Sequence, residues 1–408
     1  MTKYTAHIII EADTPLKVGS NASDFLQDSP IQRDWNALPM ILGTSIAGVL
    51  RKDFQGNVDD VFGKENGSKI IISNALLLDE NEKVCEDLLL DNKKSNFLKL
   101  FDNLPLREHT AITNKGVAKE HSKFDEEVVY KGSRFKFSIE FIEDDKQTFD
   151  SILSLLASPS FRLGGGSTKG FGKFKIIKIM TTDKECSSSL NAVLPKEFST
   201  NKENTTSYTT YTLKIKPDDF FMFGSGFGDE DADMTPVYEA TIDYKNAKLS
   251  QEMILIPASS IKGALSHRTT YYYNKLQGNT IENNQGIDKV KEIFGEEKNS
   301  KKEINGSKGK VLFSDCFYAK SQSKVFDHVS IDRFTGGAID GALFQEKTIA
   351  DDKEYEIEIL LDSVEDKFRE PFELALKDIT TGMLPLGGAT TKGHGVFNGK
   401  VFKNGEEL

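Results

Sequence analysis

The chain repeats itself. GTSIAGVL, from Gly43 to Leu50, returns as ASSIKGAL from Ala258 to Leu265, an offset of 215 residues. DVFGKE around Phe62 and Gly63 returns as EIFGEE around Phe294 and Gly295, and IIISNALLL from Ile70 returns as KVLFSDCF ending at Phe317. LGGGSTKGFGKF from Leu163 returns as LGGATTKGHGVF from Leu386, an offset of 223. Four matches in one order at nearly constant offset restrict the chain to two copies of one domain. TTDKECSSSLNAVLPKEFSTNKENTT, residues 181–206, is polar and aperiodic and reads as the linker, leaving 1–180 and 207–408 as the domains. A length of 408 residues suits two domains rather than one.

Both halves give the same order of elements. A strand (HIIIEA; YTLKIKP) leads through a Gly/Asp/Ser-rich loop to a helix introduced by a Ser or Thr cap (GTSIAGVLRKDF; ASSIKGALSHRTTYYYNKL). A second strand follows, then a hairpin-like stretch ending in FKFSIEF or YEIEILL, where apolar and polar residues alternate. A second helix comes next, with Phe149, Ile152, Leu153 and Leu156 at helical spacing in the first half. Phe368, Phe372, Ala375, Leu376 and Ile379 occupy that spacing in the second, where Pro371 marks an early turn or a kink. A glycine loop and a closing strand end each half. The class is α+β, as two tandem ferredoxin-like (βαββαβ, RRM-like) domains.

No run of about 18 apolar residues is present, so no membrane-spanning helix is expected. MTKYTAHIIIEADTPL reads as a strand, without the basic start and long apolar stretch of a signal peptide, and a cytoplasmic location is expected. Cys85, Cys186 and Cys316 are far apart, which indicates reduced thiols rather than a zinc site or disulfides. The net charge of −11 argues against free, non-specific nucleic-acid binding but leaves room for a local basic stripe.

The glycine loops carry the first candidate chemistry. Gly164, Gly165, Gly387 and Gly388 let backbone approach a ligand, successive amides can cradle phosphate, and Lys169 and Lys392 add charge. Phe171 and His394 could stack on a base. A turn before an edge strand is the plainer reading, weakened by its recurrence in both halves. KGFGKFKI nearly fits the first RNA-recognition-motif signature, but Lys173 stands where an aromatic belongs and the run follows a helix, so that motif is rejected. The helix starts are candidate anion sites, with Thr44, Ser45 and Arg51 in one and Ser259, Ser260 and Lys262 in the other; simple capping competes.

Taken together, TPLKVGSNASDFLQDSPIQRDWNALPMILGTSIAGVLR, IPASSIKGALSHR, VSIDRFTGGAIDGALF and the two glycine loops resemble the RAMP superfamily of CRISPR proteins. The resemblance is to the backbone subunit of type III effector complexes and covers nearly the whole chain outside the linker. It implies thumb-hairpin insertions that wedge between nucleotides of the guide–target duplex, with Ile112, Ile331, Arg333 and Phe334 on the thumbs. Asp28 falls on the family's aspartate for target-RNA cleavage, a possible Mg²⁺ ligand, which implies Mg²⁺ or another divalent cation as cofactor. Ser45 and Arg51 fall on guide contacts, while Ala47 replaces the family's lysine. In the second half Ser260 and Lys262 keep the motif, Ser266 replaces its arginine, and Arg268 stands two residues on. DADMTPVYE has an extra residue relative to DSPI, so either Asp233 or Met234 occupies the catalytic position.

The implied function is a guide-RNA-binding backbone subunit that also meets target RNA and other effector-complex subunits, and cleaves the target in a metal-dependent way at the first domain. A non-catalytic scaffold and a guide-processing endoribonuclease using His7, His109, His121 or His394 are the alternatives. Sequence specificity would rest on guide pairing, because no set of base-reading side chains is visible.

Overall fold

A computed structural model describes residues 2–20, 30–64, 67–90, 93–113, 116–185, 194–200, 207–280, 284–296 and 306–408. In the first domain the main elements are β1 (Thr2–Ala12), α1 (Gly43–Asp53), β2 (Ile70–Ile72), β3 (Ala75–Leu77), β4 (Leu106–Ile112), β5 (Ala118–Glu127), β6 (Arg134–Ile142), α2 (Lys146–Leu155) and β7 (Phe174–Glu185). In the second they are β8 (Thr209–Pro217), α3 (Ala258–Leu276), β9 (Val311–Phe313), β10 (Ser323–Ile331), β11 (Ala338–Ala350), β12 (Tyr355–Leu361), α4 (Asp366–Thr380) and β13 (Phe397–Lys403).

Alternation builds the sheets. Ala6, Ile8, Ile10 and Ala12 bury one face of β1, and Tyr211, Leu213 and Ile215 do the same for β8. β1 lies between β6 and β7, all antiparallel, and β2 and β3 both pair with β6. β8 lies between β12 and β13, with β9 outside β12. Each sheet contains the antiparallel core of a ferredoxin-like domain, extended to seven strands in the first domain and five in the second, so the chain is α+β with two tandem copies. Phe149, Ile152 and Leu153 of α2, and Phe368, Phe372, Ala375, Leu376 and Ile379 of α4, close the cores at the expected helical spacing. Burying each large side chain contributes roughly 1.5–3 kcal/mol. Pro371 lies buried inside α4.

Two expectations change. The segment read as linker is partly sheet: β7 runs on to Glu185, and Lys196–Glu197 pairs back onto it. The Ser/Thr caps are also displaced. The residues at the cap positions are Leu42 and Pro257, and neither supplies a side-chain bond. Both helices leave an extended segment, so the small polar residues already lie inside the first turn. Asn74 and Asp315 do the capping from the far end of the next strand: Gly43 N donates to Asn74 Oδ1 at 2.9 Å and Ala258 N to Asp315 Oδ1 at 2.8 Å.

The insertions are antiparallel thumbs, β4–β5 and β10–β11, with a register irregularity at equivalent places, between Thr110 and Ile112 and between Val329 and Ile331. No helix among the described residues is long and apolar enough to cross a membrane.

Candidate nucleic-acid interface

The roots of both thumbs are built alike. His109 stacks on Phe124 with centroids 5.1 Å apart, and His328 stacks on Phe344 at 4.9 Å. Two residues beyond each phenylalanine a carboxylate turns inward. Glu126 Oε2 lies 3.3 Å from His109 Nε2, and Glu346 Oε2 lies 3.4 Å from His328 Nε2. The glycine-loop lysine completes each cluster: Lys169 lies 4.9 Å from the Phe124 centroid and 3.9 Å from Glu126, while Lys392 lies 4.6 Å from the Phe344 centroid and 2.6 Å from Glu346. Lys17 adds a second cation at 2.5 Å from Glu126, and His394 lies 3.6 Å from Glu346. Burial opposes ionisation of Glu126, but contacts from His109 and Lys17 and the charge of Lys169 outweigh it and hold its pKa at about 2.

These clusters correct several sequence expectations. Lys392 is hydrogen-bonded to its thumb carboxylate, and Lys169 lies over the Phe124 ring within ion-pair range of Glu126, so both turn toward the thumb roots rather than out over a phosphate cradle. Phe171 is fully buried beneath the Arg107 guanidinium, 5.1 Å from its centroid, and His394 is buried against Phe220 and Phe326, so neither ring is placed to stack on a base. The glycine-loop amides are also committed. Gly165 N donates to Lys17 O and Gly388 N to Met222 O, both at 2.7 Å. Gly164 and Gly387 adopt φ of +85° and +92°, where a Cβ would meet those same carbonyl oxygens. The glycines therefore serve close packing of the loop on the chain that leaves the first strand.

At the helix starts, Ser45 is half-buried and Ser260 is exposed in the first turns. Arg51 spends its guanidinium on Gly63 O and Asp59, both at 2.9 Å, and Arg268 on Asp378 at 2.5 Å and Met383 O at 2.7 Å. Their carried-over role as guide contacts meets these internal partners. Lys262 Nζ donates to Thr168 Oγ1 of the first glycine loop at 3.0 Å.

That bond belongs to a broader seam between the domains. Arg107, on the root of the first thumb, donates through Nε to Glu239 at 2.8 Å and through Nη1 to Asp315. Burial alone would lower the Arg107 pKa, yet the two carboxylates hold it above its ordinary value; burial raises that of Glu239, which Arg107 only partly offsets. Asp315 N donates to Gly170 O at 3.3 Å, and Ile112 O lies 3.1 Å from His267 Nε2. The first glycine loop and the first thumb, from Arg107 out to Ile112, are thus packed against the second domain around α3.

The thumb tips point outward. Ile112 and Ile331 are each 52% exposed and Phe334 is fully exposed. A turn built on Asp332 holds Phe334 out, its Oδ1 accepting the amides of Phe334 at 2.7 Å and Thr335 at 3.2 Å, with Arg333 exposed between them.

Asp28 lies outside the described residues. Asp233 lies on an exposed loop at the second thumb root, where its Oδ2 accepts Gln345 N at 2.8 Å. Lys347 ties the same loop down through Asp229 at 2.6 Å and Asp231 at 2.8 Å. Backbone bonds align the two loops: Ser20 N donates to Pro30 O as Ser225 N does to Thr235 O, and Gln32 N to Val18 O as Val237 N does to Phe223 O. Pro30 therefore matches Thr235, and two positions back in sequence stands aspartate in each half, Asp28 and Asp233. No cluster of three or more His, Cys, Asp or Glu suited to a metal occurs among the described residues. A single exposed carboxylate fits a divalent ion only in the form that keeps most of its waters.

A model of the RAMP superfamily matches residues 9–175 and 221–398. The chain belongs to the RAMP superfamily. Its members are associated with RNA binding and with CRISPR effector complexes, and the two matches fall on the two RAMP domains seen in the fold. No curated protein matches the chain. Of the thumb-root residues in the two RAMP domains, His109 is named by the sequence only as a candidate acid/base for guide processing, and Glu126, Glu346 and His328 are not singled out by any motif. Their signal was present as FDEE beside FQEK and as EHT beside DHV, once the two hairpins are aligned.

Proposed function

We propose that this RAMP protein is a guide-RNA-binding backbone subunit of a type III CRISPR ribonucleoprotein, with its two domains on neighbouring stretches of guide, and that it cleaves target RNA. The observation that carries the reading is the pair of thumbs with exposed apolar tips on matching roots. A fully exposed phenylalanine on an ordered turn has no value to the fold, but it can enter a base stack and unstack a step. The partners on this reading are guide RNA, target RNA and the other effector subunits.

Cleavage would use the RNA's own 2′-hydroxyl as nucleophile. A regular duplex withholds the in-line geometry that this attack needs. A thumb that forces one nucleotide out supplies it, so positioning carries much of the rate. Asp28 and Asp233 stand at equivalent sequence positions, and Asp233 lies beside the second thumb root, where a carboxylate can accept a hydrogen bond from the attacking hydroxyl and orient it. A bound divalent cation such as Mg²⁺ would stabilise charge on the phosphate.

The test is target cleavage by the guide-loaded complex with wild type, Asp28→Ala, Asp233→Ala and the double variant, with Mg²⁺ and with chelator. Loss of one specific cut per variant, with assembly intact, supports the reading. Equal cutting by all four overturns the catalytic assignment and leaves a guide-binding scaffold.

A further inference from the structure

The two halves differ most between the third strand and the thumb. In the second domain the chain passes from Cys316–Ala319 to β10 at Ser323. In the first it leaves β3 at Leu77 and reaches β4 only at Leu106. This excursion is anchored, because Phe97, Leu98 and Phe101 are buried in the domain core.

Its outer face is apolar at the centre and acidic around it. Leu88 and Leu90 are 68% and 56% exposed, and Trp35, the sole tryptophan of the chain, is 56% exposed. Asn36 joins the two segments. It is buried, its Nδ2 donates to Asp87 O at 3.0 Å, and its Oδ1 accepts Leu89 N at 2.7 Å, so it grips both neighbours of Leu88 from the residue next to Trp35. Asp34 Oδ1 fixes the turn that presents Trp35 by accepting the amides of Asn36 and Leu38. Residues 79–90, DENEKVCEDLLL, carry five carboxylates against one lysine. Burial raises the Cys85 thiol pKa, and the charges of Asp79, Asp34 and Glu80 push it further, so those acids lie near Cys85, three residues before Leu88.

A built, exposed apolar patch marks an interaction site. The excess of carboxylates beside it repels phosphate and favours a protein over nucleic acid as its occupant. The second domain lacks the excursion, so the patch serves something beyond what both halves do. We propose that Trp35, Leu88 and Leu90 form a docking surface for another protein subunit, whose contact face is apolar and rimmed with lysine or arginine. An aromatic anchor inside a charged rim matches how interfaces divide affinity and specificity. The proposal rests on the reading of this chain as part of a multi-subunit assembly, though not on cleavage.

Hydroxyl-radical footprinting tests it, with the assembly purified through a tag on the full chain and compared with the isolated full chain. The expected result is at least a fivefold fall in oxidation of Trp35, Leu88 and Leu90 in the assembly, unchanged after ribonuclease treatment. Oxidation of Phe334 reports separately on RNA engagement by the thumb, so failure of the RNA reading is seen apart from failure of this one. Equal oxidation in both samples overturns the proposal. So does protection lost on ribonuclease treatment with the protein composition intact, which would assign the patch to RNA, or protection that grows with concentration of the isolated chain, which would assign it to a second copy. Leu88→Glu with Leu90→Glu, on exposed positions, should release one protein subunit while RNA is retained; an assembly that keeps every protein subunit also overturns it.

Discussion

Arg107 donates to Asp315 across the domain seam, and Asp315 uses its other oxygen to cap the first amide of α3 at 2.8 Å. One guanidinium therefore connects the first thumb root to the start of the second domain's first helix. Glu239 shares the same cation. Removing Arg107 leaves two buried carboxylates without their counter-charge. Arg107→Met should cost about 3–5 kcal/mol in chemical denaturation. The double variant with Asp315→Asn should recover part of that loss, because one stranded charge is gone.

Stability at low pH should report on the first thumb root. Glu126 has a folded pKa of about 2, below its unfolded value near 4.5. A depressed carboxylate contributes stability that is present above the unfolded pKa and is lost as pH falls through the folded one. The window is therefore about pH 4.5 down to 2, and the contribution is at most about 3 kcal/mol. Glu126→Gln should remove the part of the acid-unfolding curve in that window, measured by circular dichroism against wild type.

Gly170 and Gly393 occupy equivalent positions, with φ of +113° and +92°. A Cβ on Gly170 would press on Asp315 and on Ala258 at 2.6 Å, whereas one on Gly393 meets open space. Alanine at Gly393 should cost only the left-handed backbone penalty, about 1–2 kcal/mol. Alanine at Gly170 should cost clearly more, and the difference in thermal denaturation between the two variants measures how tightly the seam closes.

Phe334 is fully exposed, so Phe334→Ala should change stability by less than about 0.5 kcal/mol. On the proposed function it should still reduce target cleavage near the second thumb at least tenfold, read on a sequencing gel, while guide binding holds. An unchanged cut would remove the wedge from the mechanism.

The duplication, the element order and the helix faces were legible in sequence because they are local: period-two strands such as HIIIEA and the helical spacing of Phe149, Ile152 and Leu153. What was not legible depends on pairs far apart in sequence. Ser45 looks like a cap until Asn74 is seen in that place. Phe171 and His394 look like stacking rings until the thumbs fold over them. The positive φ at Gly164 reads as freedom for a ligand, yet the space beside it is filled by the Lys17 carbonyl. Glu126 and Glu346 gave no signal alone, since an acid in a hairpin is usually solvated.

The distant caps also tie each helix start to a later part of the chain. The first amide of α1 waits for a residue 31 positions downstream, and that of α3 for one 57 positions downstream. Neither helix start is completed from its own sequence, so each helix terminus depends on the strand that follows it. In the second domain the capping aspartate is itself held by an arginine 208 residues upstream. The capped start of α3 is therefore complete only with the first domain packed against it, so one domain supplies part of the other's helix terminus.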